Sequence, residues 1–352
     1  MTNSEVTIKD IARQLGVSPA TVDRAVHNRA DISPETRAKI LSRIKELGYR
    51  PNKIARTLVS GKTTRIGVIL PLEPLFFWSE VERGVKYGEE GFRDFGIKIS
   101  CYRIQYSTAV LKYTINKLMN DGICALILKP INDREIIAQL RECREKGIRI
   151  VTLNDDLREV DRLFYMGSDD AEAGRAAAQL MALFLKGAGK VGIVRDYGNR
   201  SYSLEQRYAA FKETAAQIAP ELELIDDSGR HYESIGEYNA YLMTKDYLET
   251  VPDLAGLYND SGSIYEVALA LKDEKPGRKI VLIGHEVSPE VNELASQDLI
   301  DGLVVQDPFS QGFRAMKVLC DYLIDDKEPE MDAYTAHVDI ILKSNLRCRK
   351  DE

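Results

Sequence analysis

Two kinds of hydrophobic spacing divide this chain. Before about residue 62, apolar residues recur every three or four positions; after Arg65, short continuous apolar runs alternate with amphipathic stretches. In the first section Ile8, Ile11, Ala12 and Leu15 share one helical face. Val22, Ala25 and Val26 form a second face, and Ile40, Ile44 and Leu47 a third. Start and stop signals bracket each helix. Thr7 precedes the first, with Asp10 three residues on in a capping-box-like start, and Gly16 ends it. Ser18 caps the second, Pro19 takes the favoured first position, and Asn28 closes it. Ser33-Pro34 repeats the signal for the third, which Gly48 stops. Two helices joined by three or four residues with a glycine predict a helix-turn-helix. The second helix of such a pair enters the DNA major groove by its N-terminal end, which brings Pro19, Ala20, Thr21 and Arg24 nearest the base edges. YRPNKIARTLVSGKT follows; Asn52 can cap a short helix through Leu58, basic and too poor in core residues to be stable alone.

The second section predicts strands at RIGVILPL, IKISCYRI, ALILKP, IRIVTL, LFYMG, KVGIVRD, LAGLYN, KIVLIGH and DGLVVQD, most separated by helical stretches. Strands alternating with helices predict parallel sheets covered on both faces. Roughly 280 residues exceed one comfortable core and imply two similar subdomains. The expected fold class is therefore α/β: an all-α helix-turn-helix headpiece and hinge helix, then two doubly wound parallel-sheet subdomains. The expected divisions are a headpiece at 1–50, a hinge at 51–63, a bilobed body at 64–342 and a tail at 343–352.

Ligands of open parallel sheets sit beyond the carboxyl ends of the strands. Five strand ends here carry suitable groups: Phe76, Phe77 and Trp78; Asn154, Asp155 and Asp156; Asn259 and Asp260; His285 and Glu286; Gln306 and Asp307. Amides and carboxylates around a rim with flat rings on the faces suit a ligand rich in hydroxyls. Polar turn and capping residues also belong at strand ends, which accounts for any one of these positions but less well for all five.

Charge sharpens the division. The chain carries a net −7, yet residues 1–62 hold twelve Lys and Arg against six Asp and Glu, a net of +6, which leaves −13 on the rest. A basic head on an acidic body suits contact between the head and a polyanion. Five scattered cysteines and four dispersed histidines give no disulfide framework and no zinc spacing, so neither a metal nor another cofactor is expected. No apolar run reaches the length of a membrane span, and MTNSEVTIKD lacks the apolar centre of a signal peptide; the expectation is a cytoplasmic protein without membrane contact. No nucleophile–base pair, phosphate loop or dinucleotide fingerprint emerges, so an enzyme is not expected.

TIKDIARQLGVSPATVDRAVHN, its spacer and RPNKIARTLVSGKT resemble the DNA-binding headpiece and hinge helix of the lactose-repressor (LacI/GalR) family, from residue 6 to about 62. The resemblance implies that Pro19, Ala20 and Arg24 read bases, and that Asn52, Lys53 and Ala55 belong to the hinge helix. It makes Leu58 an apolar wedge for the minor groove. Thr7, Ser18, Thr21 and Asn28 complete the expected DNA-binding set. Where the family usually has serine, this chain has Asp23, and a carboxylate repels phosphate. Asp23 leaves three readings open: it orients Arg24, accepts from a base amino group, or is a plain surface residue.

The body resembles the sugar-binding fold that this family uses as its effector domain, in particular the ribose-binding-like branch. By that resemblance Phe77 and Trp78 stack on a sugar ring, and Asn154, Asp155, Arg207, Asn259, Asp260, Glu286 and Gln306 surround it. GHE stands where the family has GFD or GYD, and Glu205 stands where the ribose-binding branch has a further arginine, which argues against ribose itself. The implied function is a homodimeric transcriptional regulator, read as a repressor. It would hold a pseudo-palindromic double-stranded operator and answer to a small carbohydrate or polyol effector. The alternative is a DNA-binding regulator whose body has lost its ligand and serves for dimerisation or protein contacts.

Overall fold

The computed structural model describes residues 8–26, 31–47, 63–195, 201–226 and 238–346. Thr7, Asn28, Asn52, Lys53, Ala55 and Leu58 lie outside them, as do Gly48, the expected hinge helix and residues 347–352. The chain forms two compact units, Met1–Lys62 with Asp94–Gly96, and the remainder.

In the first unit helices α1 (Ile8–Leu15), α2 (Pro19–Val26) and α3 (Pro34–Glu46) follow the sequence periodicity. Ile11, Ala12, Val22, Ala25 and Ile40 are buried together, and Leu15, Ile44 and Leu47 pack around them. Gly16 turns the chain between α1 and α2 at φ +66°, a left-handed value that side chains with a Cβ rarely adopt. Ser33 accepts from the Thr36 N–H and so caps α3. The Arg43 guanidinium donates to the Gln14 side-chain carbonyl at 2.9 and 3.0 Å and ties α3 to α1.

The second unit repeats one plan twice. The first lobe contains β1 (Thr64–Pro71), α4 (Leu75–Glu90), β2 (Ile97–Ile104), α5 (Thr108–Asn120), β3 (Ala125–Leu128), α6 (Arg134–Glu145), β4 (Arg149–Leu153) and β5 (Phe164–Ser168). The second contains α7 (Asp170–Phe184), β6 (Ala188–Val194), α8 (Tyr202–Ile218), β7 (Glu221–Ile225), α9 (Tyr238–Thr250), β8 (Leu254–Asn259), α10 (Ile264–Glu274), β9 (Val281–His285), α11 (Pro289–Ser296) and β10 (Gly302–Gln306). Helix α12 (Pro308–Asp325) returns to pack on α4. Strand β11 (Ala333–Ala336) joins the first sheet and β12 (Val338–Ile341) the second.

The sheet orders are β11-β5-β4-β3-β1-β2 and β12-β10-β9-β8-β6-β7. Every pairing is parallel except β10 with β12, which is antiparallel. The expected doubly wound pair is therefore present. The sequence pattern missed β7, β11 and β12, for a physical reason: all three lie at sheet edges and alternate or expose their side chains, so they lack the continuous apolar signature of a buried parallel strand.

Each lobe also contains a helix pair in near backbone contact. A Cβ at Gly84 of α4 would lie 2.1 Å from the Phe309 carbonyl oxygen of α12, and one at Gly312 would lie 2.1 Å from that of Val81. In the second lobe a Cβ at Gly174 of α7 would meet the Arg207 carbonyl oxygen of α8 at 2.0 Å. Small residues set both approaches, and the second fixes the height at which Arg207 leaves its helix.

Candidate functional site

A cleft of about 290 Å³ lies between the two lobes, where the carboxyl ends of both sets of strands face one another. That placement follows from the topology: a parallel sheet sends every strand-to-helix turn to the same edge.

The second lobe supplies ionic groups that already have partners. Arg207, on α8, is buried and donates to the Asp170 carboxylate at 2.7 Å and to the Asp260 backbone carbonyl at 2.9 Å. Asp170 begins α7 and also accepts from the Ser168 hydroxyl at 3.3 Å. Arg195, one residue past β6, donates to Asp260 at 2.7 Å and to Glu205 at 3.1 Å, and its guanidinium lies 4.0 Å over the Tyr208 ring. Glu286 accepts from the Gln306 amide at 2.6 Å, and Gln306 accepts from Gln311 at 2.6 Å. Burial pushes the Glu286 carboxyl above its usual range, with Arg207 and Gln306 opposing.

The first lobe supplies rings and a different kind of charge. Phe77 and Trp78 stand in the first turn of α4, 5% and 2% exposed, with ring centroids 4.9 Å apart at 78°. Lys129 follows β3, its ammonium 5.8 Å from the Trp78 centroid and 5.2 Å from that of Tyr106. Asn154 and Asp155 follow β4. Burial raises the Asp155 carboxyl, and Lys129 pulls it back. The Ser203 hydroxyl of the second lobe donates to the Asn154 carbonyl at 3.0 Å, a contact that spans the cleft.

Asn154 and Glu286 occupy the same place in the two lobes, one residue past the fourth strand. Both are left-handed, at φ +65° and +69°. Asparagine tolerates that region; glutamate does so at a cost of about 1–2 kcal/mol. Non-glycine residues held there concentrate at functional sites, because the turn aims a side chain that a relaxed turn would not.

Of the nine residues read from the sequence as effector-binding, seven line the cleft: Phe77, Trp78, Asn154, Asp155, Arg207, Glu286 and Gln306. Asn259 and Asp260 stand behind the wall. The Asn259 amide nitrogen lies 3.2–3.3 Å from the Val194 carbonyl and the Ser261 and Ser263 hydroxyls, so it fastens the end of β8 to β6. Asp260 holds Arg195 instead of facing the opening. Both side chains are buried at the β8 end, Asn259 at 0% and Asp260 at 1% exposure, and there they support the wall that carries Arg195. His285 is likewise buried between the Tyr258 hydroxyl at 3.0 Å and the Val304 carbonyl at 3.1 Å, and burial holds its ring well below the usual histidine range.

Sequence reasoning missed Lys129, Tyr106, Asp170, Arg195, Ser201 and Ser203, all of which line the cleft. The signal for two of them was present. Lys129 and Arg195 immediately follow β3 and β6, two strand ends at which the search for polar residues stopped short. The arrangement offers carboxylates, amides, hydroxyls and cations to one small ligand at once, with rings along one side. Among the described residues no cluster of His, Cys, Asp and Glu could hold a metal ion, and no helix is long and apolar enough to cross a membrane.

On the headpiece, the N-terminal end of α2 presents Ser18, Pro19, Ala20 and Arg24 to solvent, with Thr21 and Asp23 half-buried. Ser18 accepts from the Thr21 N–H at 3.1 Å and lies 2.8 Å from its hydroxyl, so the cap fixes the first turn of that helix.

Comparison with known proteins extends this picture. Residues 7–52 match the bacterial regulatory proteins of the lacI family, and residues 66–328 match the periplasmic binding protein domain. Catabolite control protein A of Priestia megaterium is 49% identical over 81 residues, 23% of this chain and 24% of that protein. The HTH-type transcriptional regulator RegA of Clostridium saccharobutylicum is 30% identical over 234 residues, 62% of this chain and 65% of that one. The chain thus spans about a quarter of the length of the first relative and just under two thirds of the second. In fold, the structure superimposes on GanP, a glucose-galactose binding protein from Geobacillus stearothermophilus, with a TM-score of 0.71 at 21% identity, covering 81% of this chain and 99% of that one. A matched regulatory headpiece at one end and a matched binding domain over most of the remainder place this chain in the lacI family of bacterial regulatory proteins.

Proposed function

We propose that this chain is a transcriptional regulator whose headpiece holds an operator and whose interlobe cleft holds a small carbohydrate or polyol effector. The observation that carries the reading is the cleft itself. Both lobes turn their strand ends into one space, and seven side chains chosen on sequence grounds line it. A polyol needs many directional donors and acceptors and one flat apolar face, and these are the groups gathered there.

Two copies would present two α2 helices to a pseudo-palindromic duplex, with Pro19, Ala20 and Arg24 toward base edges and Ser18 and Thr21 toward the backbone. The basic balance of residues 1–62 supplies the phosphate attraction and the acidic body opposes non-specific adhesion. A cytoplasmic homodimer acting as a repressor suits this arrangement. An effector regulates such a protein only by binding the two body conformations with different affinities. The Ser203–Asn154 contact spans the cleft and is one of the bonds that lobe opening would break.

The test combines two measurements on the full chain. Selection from random duplexes should yield an inverted-repeat site whose affinity falls steeply with salt, since each neutralised phosphate adds about −0.9 to the slope of log K against log salt. A carbohydrate panel read by thermal shift should then identify a sugar that changes that affinity and perturbs the fluorescence of the single tryptophan, Trp78. Salt-independent affinity would sink the polyanion reading. An operator bound with no response to any sugar would favour a body kept for dimerisation or protein contacts.

A further inference from the structure

Most charges around the cleft are already committed. Arg207 is paired with Asp170, Arg195 with Asp260 and Glu205, and Glu286 takes a hydrogen bond from Gln306. Lys129 differs. Among the described residues Lys129 forms no ion pair and no hydrogen bond. Instead it rests over two aromatic faces, Trp78 and Tyr106, which attract a cation without using its N–H groups. The same position occupies one approach to the Trp78 ring, so ring stacking there is limited to what Lys129 leaves open. Burial depresses the lysine, while Asp155 and then Asp170 act from a distance to keep it charged.

Three donor hydrogens therefore lack an oxygen acceptor in a space whose other lining carboxylates include Asp155 and Glu286. An anionic ligand would satisfy Lys129 but stand against those carboxylates, because the two arginines are already neutralised by their partners. A cationic ligand would stand against Lys129 itself. An uncharged ring oxygen or hydroxyl satisfies the ammonium and can pass a hydroxyl hydrogen on to Asp155.

Resting on the effector reading above, we infer that Lys129 is the specificity-determining residue of this cleft, donating to an oxygen of an uncharged polyol and excluding an amino group at that position.

The test uses the full chain and its Lys129→Met and Lys129→Gln variants. Titration calorimetry would cover D-glucose, D-galactose, D-arabinose, D-xylose and D-ribose, together with D-glucosamine, D-galactosamine, D-glucuronate and D-galacturonate. The wild type should bind a neutral sugar at least tenfold tighter than its amino and uronate counterparts. Lys129→Met should weaken the neutral sugar at least tenfold and narrow the gap to the amino sugar. Lys129→Gln keeps a donor without the charge, so it should hold the neutral sugar within a few-fold yet lose the discrimination. A neutral sugar bound equally well by the wild type and Lys129→Met, or a uronate preferred by the wild type, overturns this inference alone. Silence of the whole panel toward the wild type overturns the effector reading and this inference with it.

Discussion

The two lobes share a strand order, a glycine-mediated helix contact and a left-handed residue after the fourth strand, yet they furnish the cleft in opposite ways. The second lobe presents ion pairs that are complete before any ligand arrives. The first presents aromatic rings and a lysine without an ion-pair partner among the described residues, and keeps its own buried pair, Arg162 with Asp156, behind the wall. One architecture can thus carry a rigid, electrostatically self-satisfied half and a half whose polar groups await a partner. Preorganisation resides in the first kind of wall and discrimination in the second.

The largest effect that would break this contrast concerns Arg207. Arg207→Met leaves the buried Asp170 carboxylate without its partner, and removing one member of a buried pair costs about 3–5 kcal/mol. Denaturant unfolding should show a loss on that scale. The double variant Asp170→Leu with Arg207→Met should recover most of it, because neither charge then remains buried. A single variant as stable as the wild type would mean the second-lobe lattice is solvated and not preorganised.

Next come the helix contacts. Gly174→Ala and Gly84→Ala each force a methyl against a carbonyl oxygen near 2 Å, and overpacking of this kind costs about 1–3 kcal/mol. Both should lower the melting temperature. Gly174→Ala should also weaken effector binding more than Gly84→Ala, because only Gly174 touches the backbone of an arginine in the cleft wall. Equal effects on binding would remove the asymmetry.

The smallest effect is a slope. Glu286 and Asp155 have carboxyls raised by burial above their ordinary values of 4.5 and 3.8. Between the ordinary and the raised value, the folded chain holds more protons than the unfolded one, so stability falls as pH rises through that window. Glu286→Gln should flatten the fall of melting temperature above pH 4.5 and leave the ligand-free protein at neutral pH at least as stable. A steeper fall in the variant would show that Glu286 is stabilised as a carboxylate in the fold.

Much of this protein was legible in its sequence. The three headpiece helices follow from spacing, caps and one glycine, all local signals. Most of the nine strands read from the sequence follow from continuous apolar runs, which buried parallel strands require, while the edge strand β2 was legible from the alternation of IKISCYRI. The strand-end rule brought Asn154, Asp155, Glu286 and Gln306 to the cleft without any knowledge of sheet order, because every parallel strand delivers its end to the same edge. The edge strands β7, β11 and β12 escaped because they are short, with five, four and four residues, and lack that apolar signature, whereas the eight-residue edge strand β2 is long enough to show its alternation.

What the sequence by itself determined was therefore the periodic and the local: helices with their caps, core strands, the basic head, and the residues that strands carry to the cleft edge. The tertiary structure decided which of those residues face the opening and which are spent holding it together. Asn259 and Asp260 carry the same kind of polar side chain as Asn154 and Asp155, but β8 lies deep in its sheet, and its end is consumed by bonds to β6 and to Arg195. Lys129 was visible as a residue but not as an ammonium without an ion-pair partner among the described residues. That distinction depends on the distances to side chains from other strands and helices, which only the folded chain sets.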